Sequence, residues 1–313
     1  MKKRFDVVGI GSCTVDFLGI VPSFPKPDTK NKMLTFIQQG GGPVATALVA
    51  LARLGAKVSY VGKLGEDLFS QFALNEFLAE GVDTSAVIRE KGAGPYLAFI
   101  IVDKETGERT IWWTDQMVSF LKEEELSKKT IASARILHLD EYNHLATAVA
   151  AATFAKEAGV PVVLDAESPW KRDLLSLIEL TDYLIVPEEF ALGFSKKEDI
   201  ERSAIFLLKH GPKTVVVTQG ATGSLIKTEE KTFFQPAFQV PVVDTTGCGD
   251  VFHGGFIYGL LKGWPVEIAA EFASAVAGLK CGKLGGRAGC PSFLQVKDFL
   301  LARGSERIRP FLI

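Results

Sequence analysis

Four cysteines in 313 residues, Cys13, Cys248, Cys281 and Cys290, form no C-x-x-C pair and no zinc-like spacing, which excludes a disulfide scaffold or a structural thiolate cluster. Charge of one sign is also lacking: 35 Lys and Arg stand against 37 Asp and Glu, so no strong field draws nucleic acid or an anionic membrane. No apolar run reaches membrane-spanning length, and the basic start leads straight into a strand-like segment without a signal core, so a cytoplasmic protein is expected. Internal repeats and low-complexity tracts are missing. So are two common phosphate-handling devices. There is no G-x-x-x-x-G-K-[ST], and the G-x-G that begins at Gly9 and Gly11 fails, because Thr14 holds the third glycine position and Pro22, Pro25 and Pro27 remove the helix that would follow. Phosphate handling, if present, falls to another device.

That device is legible in DTTGCGD at 244–250, set between an apolar stretch at 238–243 that reads as a buried strand and a run at 251–261 with helical apolar period. Gly247 and Gly249 let successive amides turn into one concavity, and the helix N-terminus behind them adds about half a positive charge, making an anion cradle. Asp250, at the rim, would repel an anion. It makes sense as a general base that takes a proton from a hydroxyl while the cradle holds a transferring phosphoryl group; a helix-capping acid is the plain alternative. Cys248 lies within the cradle, where a helix terminus lowers a thiol pKa, yet as a small residue with a useful backbone N–H it needs no reactive role.

Around this motif, strands and helices alternate. Strands are expected at 5–10, 58–61, 136–139, 161–164, 183–186 and 214–218, and helices at 44–54, 146–158, 200–209 and 265–278. Such repeated units predict an α/β fold of three layers, α/β/α, with a mainly parallel central sheet and ligands outside the carboxyl ends of its strands. Asp140, Asp165, Glu188 and Gln219 become candidates by that position. Two β excursions, 13–39 and 95–114, interrupt a core made of 1–12, 40–94 and 115–313.

Asp16, expected in a loop just past the first strand, is either a turn aspartate or a carboxylate that accepts from two vicinal hydroxyls of a polyol. Gly40, Gly41 and Gly42 form either a flexible turn or a place where a substrate approaches the backbone closely. Thr218, Gly220 and Gly223 close a strand in a polar turn that suits a plain hairpin or a nucleotide-phosphate loop. Alternation lets only one of Trp112 and Trp113 face inward, and His253, one turn after Asp250, is either a packed helix histidine or a site contact.

In order, GGGPVATALVALARLG, VTQGATG and DTTGCGDVFHGG closely resemble the PfkB, or ribokinase-like, carbohydrate kinases, over nearly the whole chain. Other stretches resemble two subgroups, the bacterial sulfofructose kinases and the ketohexokinases. The resemblance implies a ribokinase-like fold with a small β-sheet lid formed by the two excursions, and ATP and Mg2+ as cofactors, with a monovalent cation such as K+ beside the cradle. It implies Asp250 as the base and the amides of Gly247, Cys248 and Gly249 as the anion hole. Thr218, Gly220, Gly223 and Thr245 would line the nucleotide phosphates, with Arg109 reaching them from the second excursion, and Asp16, Gly41 and Gly42 would hold the sugar.

Departures from the family pattern bear on substrate and metal. Where many relatives carry Asn-x-x-Glu for magnesium, this chain has Pro187 and Glu188, so Glu188 is the metal candidate. Pro43 stands where an asparagine often binds sugar, leaving Thr46 as the nearest polar replacement. Glu141 has the wrong charge for a sulfonate, and Lys30 is the remaining anion partner. The expectation is ATP-dependent phosphorylation of a hydroxymethyl group on a small, ketose-like sugar by a homodimer joined through its lid strands, with a nucleoside kinase or an inert sugar-binding sensor as alternatives.

Overall fold

The computed structural model describes residues 3–114, 118–142, 144–168 and 174–312. An eight-stranded sheet runs in the order Thr232–Pro236, Gly223–Thr228, Thr214–Thr218, Tyr183–Pro187, Val162–Asp165, Ala134–Asp140, Phe5–Ile10, Val58–Val61. From Thr214–Thr218 onward every neighbouring pair is parallel, and the two remaining edge strands are antiparallel. Side-chain alternation divides the core. Val7, Ile136, Val163, Ile185 and Val216 pack under helices Pro43–Arg53, Cys248–Leu261 and Val266–Lys280, whereas Val8, Leu137, Leu164, Leu184 and Val217 face helices Leu145–Glu157, Glu188–Ser195 and Ile200–Leu208. This is the three-layer arrangement expected from the alternating pattern. No helix among the described residues is long and apolar enough to cross a membrane.

A second, four-stranded sheet runs Thr35–Gly41, Thr14–Val21, Tyr96–Asp103, Arg109–Trp113. One face of it packs through Leu18, Ala98, Ile100 and Val102 against Leu284. On the other face, Phe17 stacks on Phe99 at 5.2 Å and meets Phe69 of helix Leu68–Ala79 edge-on at 5.7 Å. Phe36, Phe99 and Trp112 remain at least half exposed there.

Three local expectations are corrected. Asp16 lies inside strand Thr14–Val21, paired on both sides, rather than in a loop. Gly40 and Gly41 end strand Thr35–Gly41 rather than forming a free turn, so the sheet extends past residue 39. Residues 238–243 form no strand and are largely exposed, Val242 by 45%. Pro241 offers no N–H to a ladder, and the segment serves as a connection from the sheet edge to the motif, held by Phe238 against Phe299 at 5.3 Å, by Arg303 Nη2 donating to Gln239 O at 2.9 Å and by Val243 N donating to Cys281 O at 2.8 Å.

Candidate active site

The motif turn is built around Asp244, whose side chain is fully buried. Its Oδ1 accepts from Thr246 N at 2.8 Å and Thr246 Oγ1 at 2.7 Å, and its Oδ2 accepts from Gly285 N at 2.7 Å. Gly247 follows with φ 73° and caps helix Cys248–Leu261. A Cβ there would come within 2.7 Å of Gly286 Cα, so both backbone conformation and close approach require glycine. Cys248 N donates to Thr245 O at 3.2 Å, while the amides that follow it in the first turn have no carbonyl a turn earlier inside the helix to bond, which suits them to an anion. Asp250 sits in its first turn.

Asp250 borders a cavity of about 250 Å³. Ser12, Gly42, Pro43, Tyr142, Glu167, Thr246 and Gly247 line it from the main sheet; Thr14, Asp16, Tyr96, Arg109 and Trp113 are among the residues that close it from the second. Asp16 is 7% exposed and accepts from Thr14 Oγ1 at 2.6 Å. A Cβ on Gly41 would overlap Asp16 Oδ2 and Thr14 Oγ1, and Gly42, at φ 95°, would meet Ser12 O. These two glycines therefore make room for the carboxylate. Arg109 Nη1 donates to Thr245 Oγ1 at 2.9 Å, linking the second sheet to the motif. Trp113 faces the cavity and Trp112 faces away, as alternation requires.

Carboxylates concentrate at the inner end. Oxygens of Asp165, Glu167 and Asp250 lie within 4.8 Å of one another. Burial pushes the Asp250 carboxyl up to about 7, Glu167 raising it further and Arg109 opposing. Burial likewise lifts Asp16 to about 6, against the Thr14 hydrogen bond, and Asp140 to about 7, against amides of Ser12 and Tyr142. Glu167 is raised by burial despite donation from Tyr142 Oη at 3.0 Å, and Asp165 is raised far more, by burial and by the charges of Glu167 and Asp250. His253 Nε2 lies 3.4 Å from Asp165 Oδ2. That proximity is no ion pair, because burial and neighbouring His138 hold His253 neutral. Such a site takes up a proton at its carboxylates and holds hydroxyls and a cation, while the helix terminus beside it accepts an anion.

The structure thus brings Asp16, Gly42, Arg109, Gly247 and Asp250 to one cavity, with Gly41, Thr245, Cys248 and Gly249 adjoining them in the chain. It leaves others apart. Thr218, Gly220 and Gly223 form the hairpin turn after strand Thr214–Thr218, Gln219 N donating to Gly223 O at 2.8 Å, at the carboxyl ends of the parallel strands. Thr46 is buried inside its helix and does not line the cavity. Lys30 is exposed in the connection between strands Thr14–Val21 and Thr35–Gly41. Glu188 starts helix Glu188–Ser195 and is absent from the carboxylate cluster; the oxygens of Asp165 and Glu167 suit a hard divalent ion better. Glu167 and Tyr142 were not singled out from sequence. Each lies two residues beyond a strand end whose partners, Asp165 and Asp140, are in register, and that offset is the signal that finds them.

A family model described as "pfkB family carbohydrate kinase" matches residues 4–292. A protein named ribokinase, from Haemophilus influenzae, is 31% identical over 307 residues, covering 96% of this chain and 99% of that one. One named 5-dehydro-2-deoxygluconokinase, from Clostridium perfringens, is 28% identical and covers 97% of this chain and 95% of that one. Among solved structures, a putative ribokinase from Agrobacterium tumefaciens superposes with a TM-score of 0.90 at 26% identity, covering 96% of this chain and 99% of that one.

Proposed function

The chain belongs to the pfkB family of carbohydrate kinases, and on that footing we propose that it transfers the γ-phosphoryl group of ATP to a hydroxymethyl group of a small, uncharged, ketose-like sugar, with Asp250 as general base. One observation carries the reading: Asp250 occupies the first turn of the motif helix and the wall of the cavity that also contains Asp16. Asp16 accepts from sugar hydroxyls and orients the sugar; Asp250 takes the proton of the attacking hydroxyl; the amides of Gly247, Cys248 and Gly249 meet the charge that develops on the phosphoryl oxygens. Thr218, Gly220, Gly223 and Thr245 attend the nucleotide phosphates, and Arg109, already on Thr245, adds a positive charge beside them. Mg2+, when bound with the nucleotide, neutralises phosphate charge, and Asp165 and Glu167 are the described donors that fit it. A monovalent cation such as K+ belongs to the reading by resemblance.

The sugar class follows from charge. Among the described cavity residues Arg109 is the one cation, and it is committed to Thr245, whereas Asp16, Glu167 and Asp250 are acids. Arg287, the buried cation whose charge reaches Asp16, donates to Gly41 O at 2.8 Å and is not among the described residues that line the cavity, so a sugar acid or sulfonate meets no uncommitted counter-charge in that lining. The second sheet acts as a lid that excludes water during transfer. Its outer face, with Phe36, Phe99 and Trp112 exposed, suits a second copy of the chain and hence a homodimer.

The test is ADP release in the presence of ATP and Mg2+ across neutral ketoses, aldoses, sugar acids and nucleosides. A neutral sugar giving the highest kcat/KM supports the reading. Preference for a sugar acid would overturn the substrate class, and silence across the panel would overturn kinase activity in favour of a sensor. Tyr96 and Trp113 in the cavity wall also suit a nucleobase, so leading turnover with a nucleoside would establish that second reading instead.

A further inference from the structure

Lys280, the last residue of helix Val266–Lys280, has no exposed surface, an unusual setting for an ammonium. Its Nζ donates to the main-chain carbonyl of Asp244 at 2.8 Å, and among the described residues it forms no salt bridge. A buried cation without a carboxylate partner costs several kcal/mol, and an apolar side chain of the same length would fill the space without that cost. The helix C-terminus on which it rides offers partial compensation through its carbonyl dipoles. The remainder is offset only by something the charge does.

What it touches says what that is. Asp244 is clamped at every polar group: its carboxylate by Thr246 and Gly285, its amide to Cys281 O at 3.2 Å, and its carbonyl by Lys280. The segment that follows Lys280 supplies the back wall of the cradle, since Gly286 lies against Gly247. The lysine's charge also reaches the front, where it favours the ionised forms of Asp250, Cys248 and Cys281.

We propose that Lys280 is a positioning residue for phosphoryl transfer, an internal cation that fixes the Asp244 carbonyl and thereby the cradle amides, and that adds positive potential behind the transferring group. The proposal rests on the reading of the 247–250 loop as the site that receives that group. Lys280 does not line the cavity and is not expected to touch substrate. Its effect therefore falls on kcat rather than on the KM for sugar or ATP.

Two measurements test this. Parent protein labelled with 15N-lysine has one slowly exchanging, charged Nζ resonance, absent from Lys280→Met, and that resonance shifts when ADP and aluminium fluoride are added as a mimic of the transferring phosphoryl group. Lys280→Met keeps the stem and loses the charge; kcat falls by about 100-fold or more, with both KM values within about threefold of the parent. A neutral-amine shift for the Lys280 Nζ, an unmoved resonance with the mimic, or Lys280→Met turnover within about threefold of the parent overturns the proposal. The resonance is readable in parent protein whether or not Lys280→Met folds. A parent that releases no ADP with any substrate defeats the kinase reading instead, a result separate from these.

Discussion

Asp250 and Glu167, from the motif helix and from the turn after strand Val162–Asp165, bring carboxylate oxygens within 4.8 Å of each other at the inner end of the cavity. Burial first, and then the charge of Glu167, hold the Asp250 carboxyl at about 7, since two acids so close resist ionising together.

The pH dependence follows directly. A general base works as the carboxylate, so with Asp250 at about 7 in the free protein, kcat/KM falls as pH drops through about 7, approaching tenfold per unit below it. Glu167 and Asp16 raise this midpoint while Arg109 and Lys280 lower it. Glu167→Gln removes the largest raising charge, and its acid limb moves to lower pH. An unchanged or raised midpoint in pH–rate profiles would contradict the coupling.

Gly41 is a test of sugar binding. Its Cβ would displace the Asp16 carboxylate. Gly41→Ala should forfeit a charge-assisted hydrogen bond to the sugar, about 1.5–3 kcal/mol, and raise the sugar KM by about 10–100-fold while leaving the ATP KM near the parent value. Steady-state kinetics with each substrate varied separates the two; equal losses in both would place Gly41 in folding rather than recognition.

How much was legible can be judged from these same residues. Asp250 was readable because its whole setting is local: two glycines, a helix and a carboxylate within seven consecutive positions. Glu167 and Tyr142 were not, because their meeting at 3.0 Å depends on the parallel register of Asp165 with Asp140, which sequence does not display. Strand Thr14–Val21 escaped because both its faces are covered, by the cavity on one side and helix Leu68–Ala79 on the other, so its polar positions do not alternate cleanly. The apolar stretch at 238–243 misled in the opposite direction: it has strand-like residues, but forms no ladder beyond Thr232–Pro236. Alternating strands and helices carried the fold; tertiary register carried the rest of the site.

Cysteine chemistry gives another check. Cys248 Sγ and Cys281 Sγ lie 2.9 Å apart, and the hydrogen bond from Cys248 brings the Cys281 thiol down to about 7, with Lys280 assisting. Burial lifts Cys13 to about 11 and Cys290 to about 12. Near pH 7.5 iodoacetamide should therefore label Cys281 first, with loss of activity as the adduct crowds Cys248, and ATP should slow the reaction. Peptide mapping that finds Cys13 or Cys290 labelled first would contradict this ordering.

The outer face of the second sheet makes a prediction about assembly. Trp112→Lys and Phe99→Lys place charge where two copies would meet, and light scattering should show the parent as a dimer and the variants shifted toward monomer. A monomeric parent at micromolar concentration would remove the dimer from the account.

The most direct test is turnover by Asp250→Asn, which keeps the shape of the base and removes its proton affinity. With the preferred sugar, ATP and Mg2+ at saturation, kcat should fall by about two to four decades, while nucleotide affinity stays within about threefold of the parent. Asp250→Asn turnover within about tenfold of the parent would contradict base catalysis by Asp250.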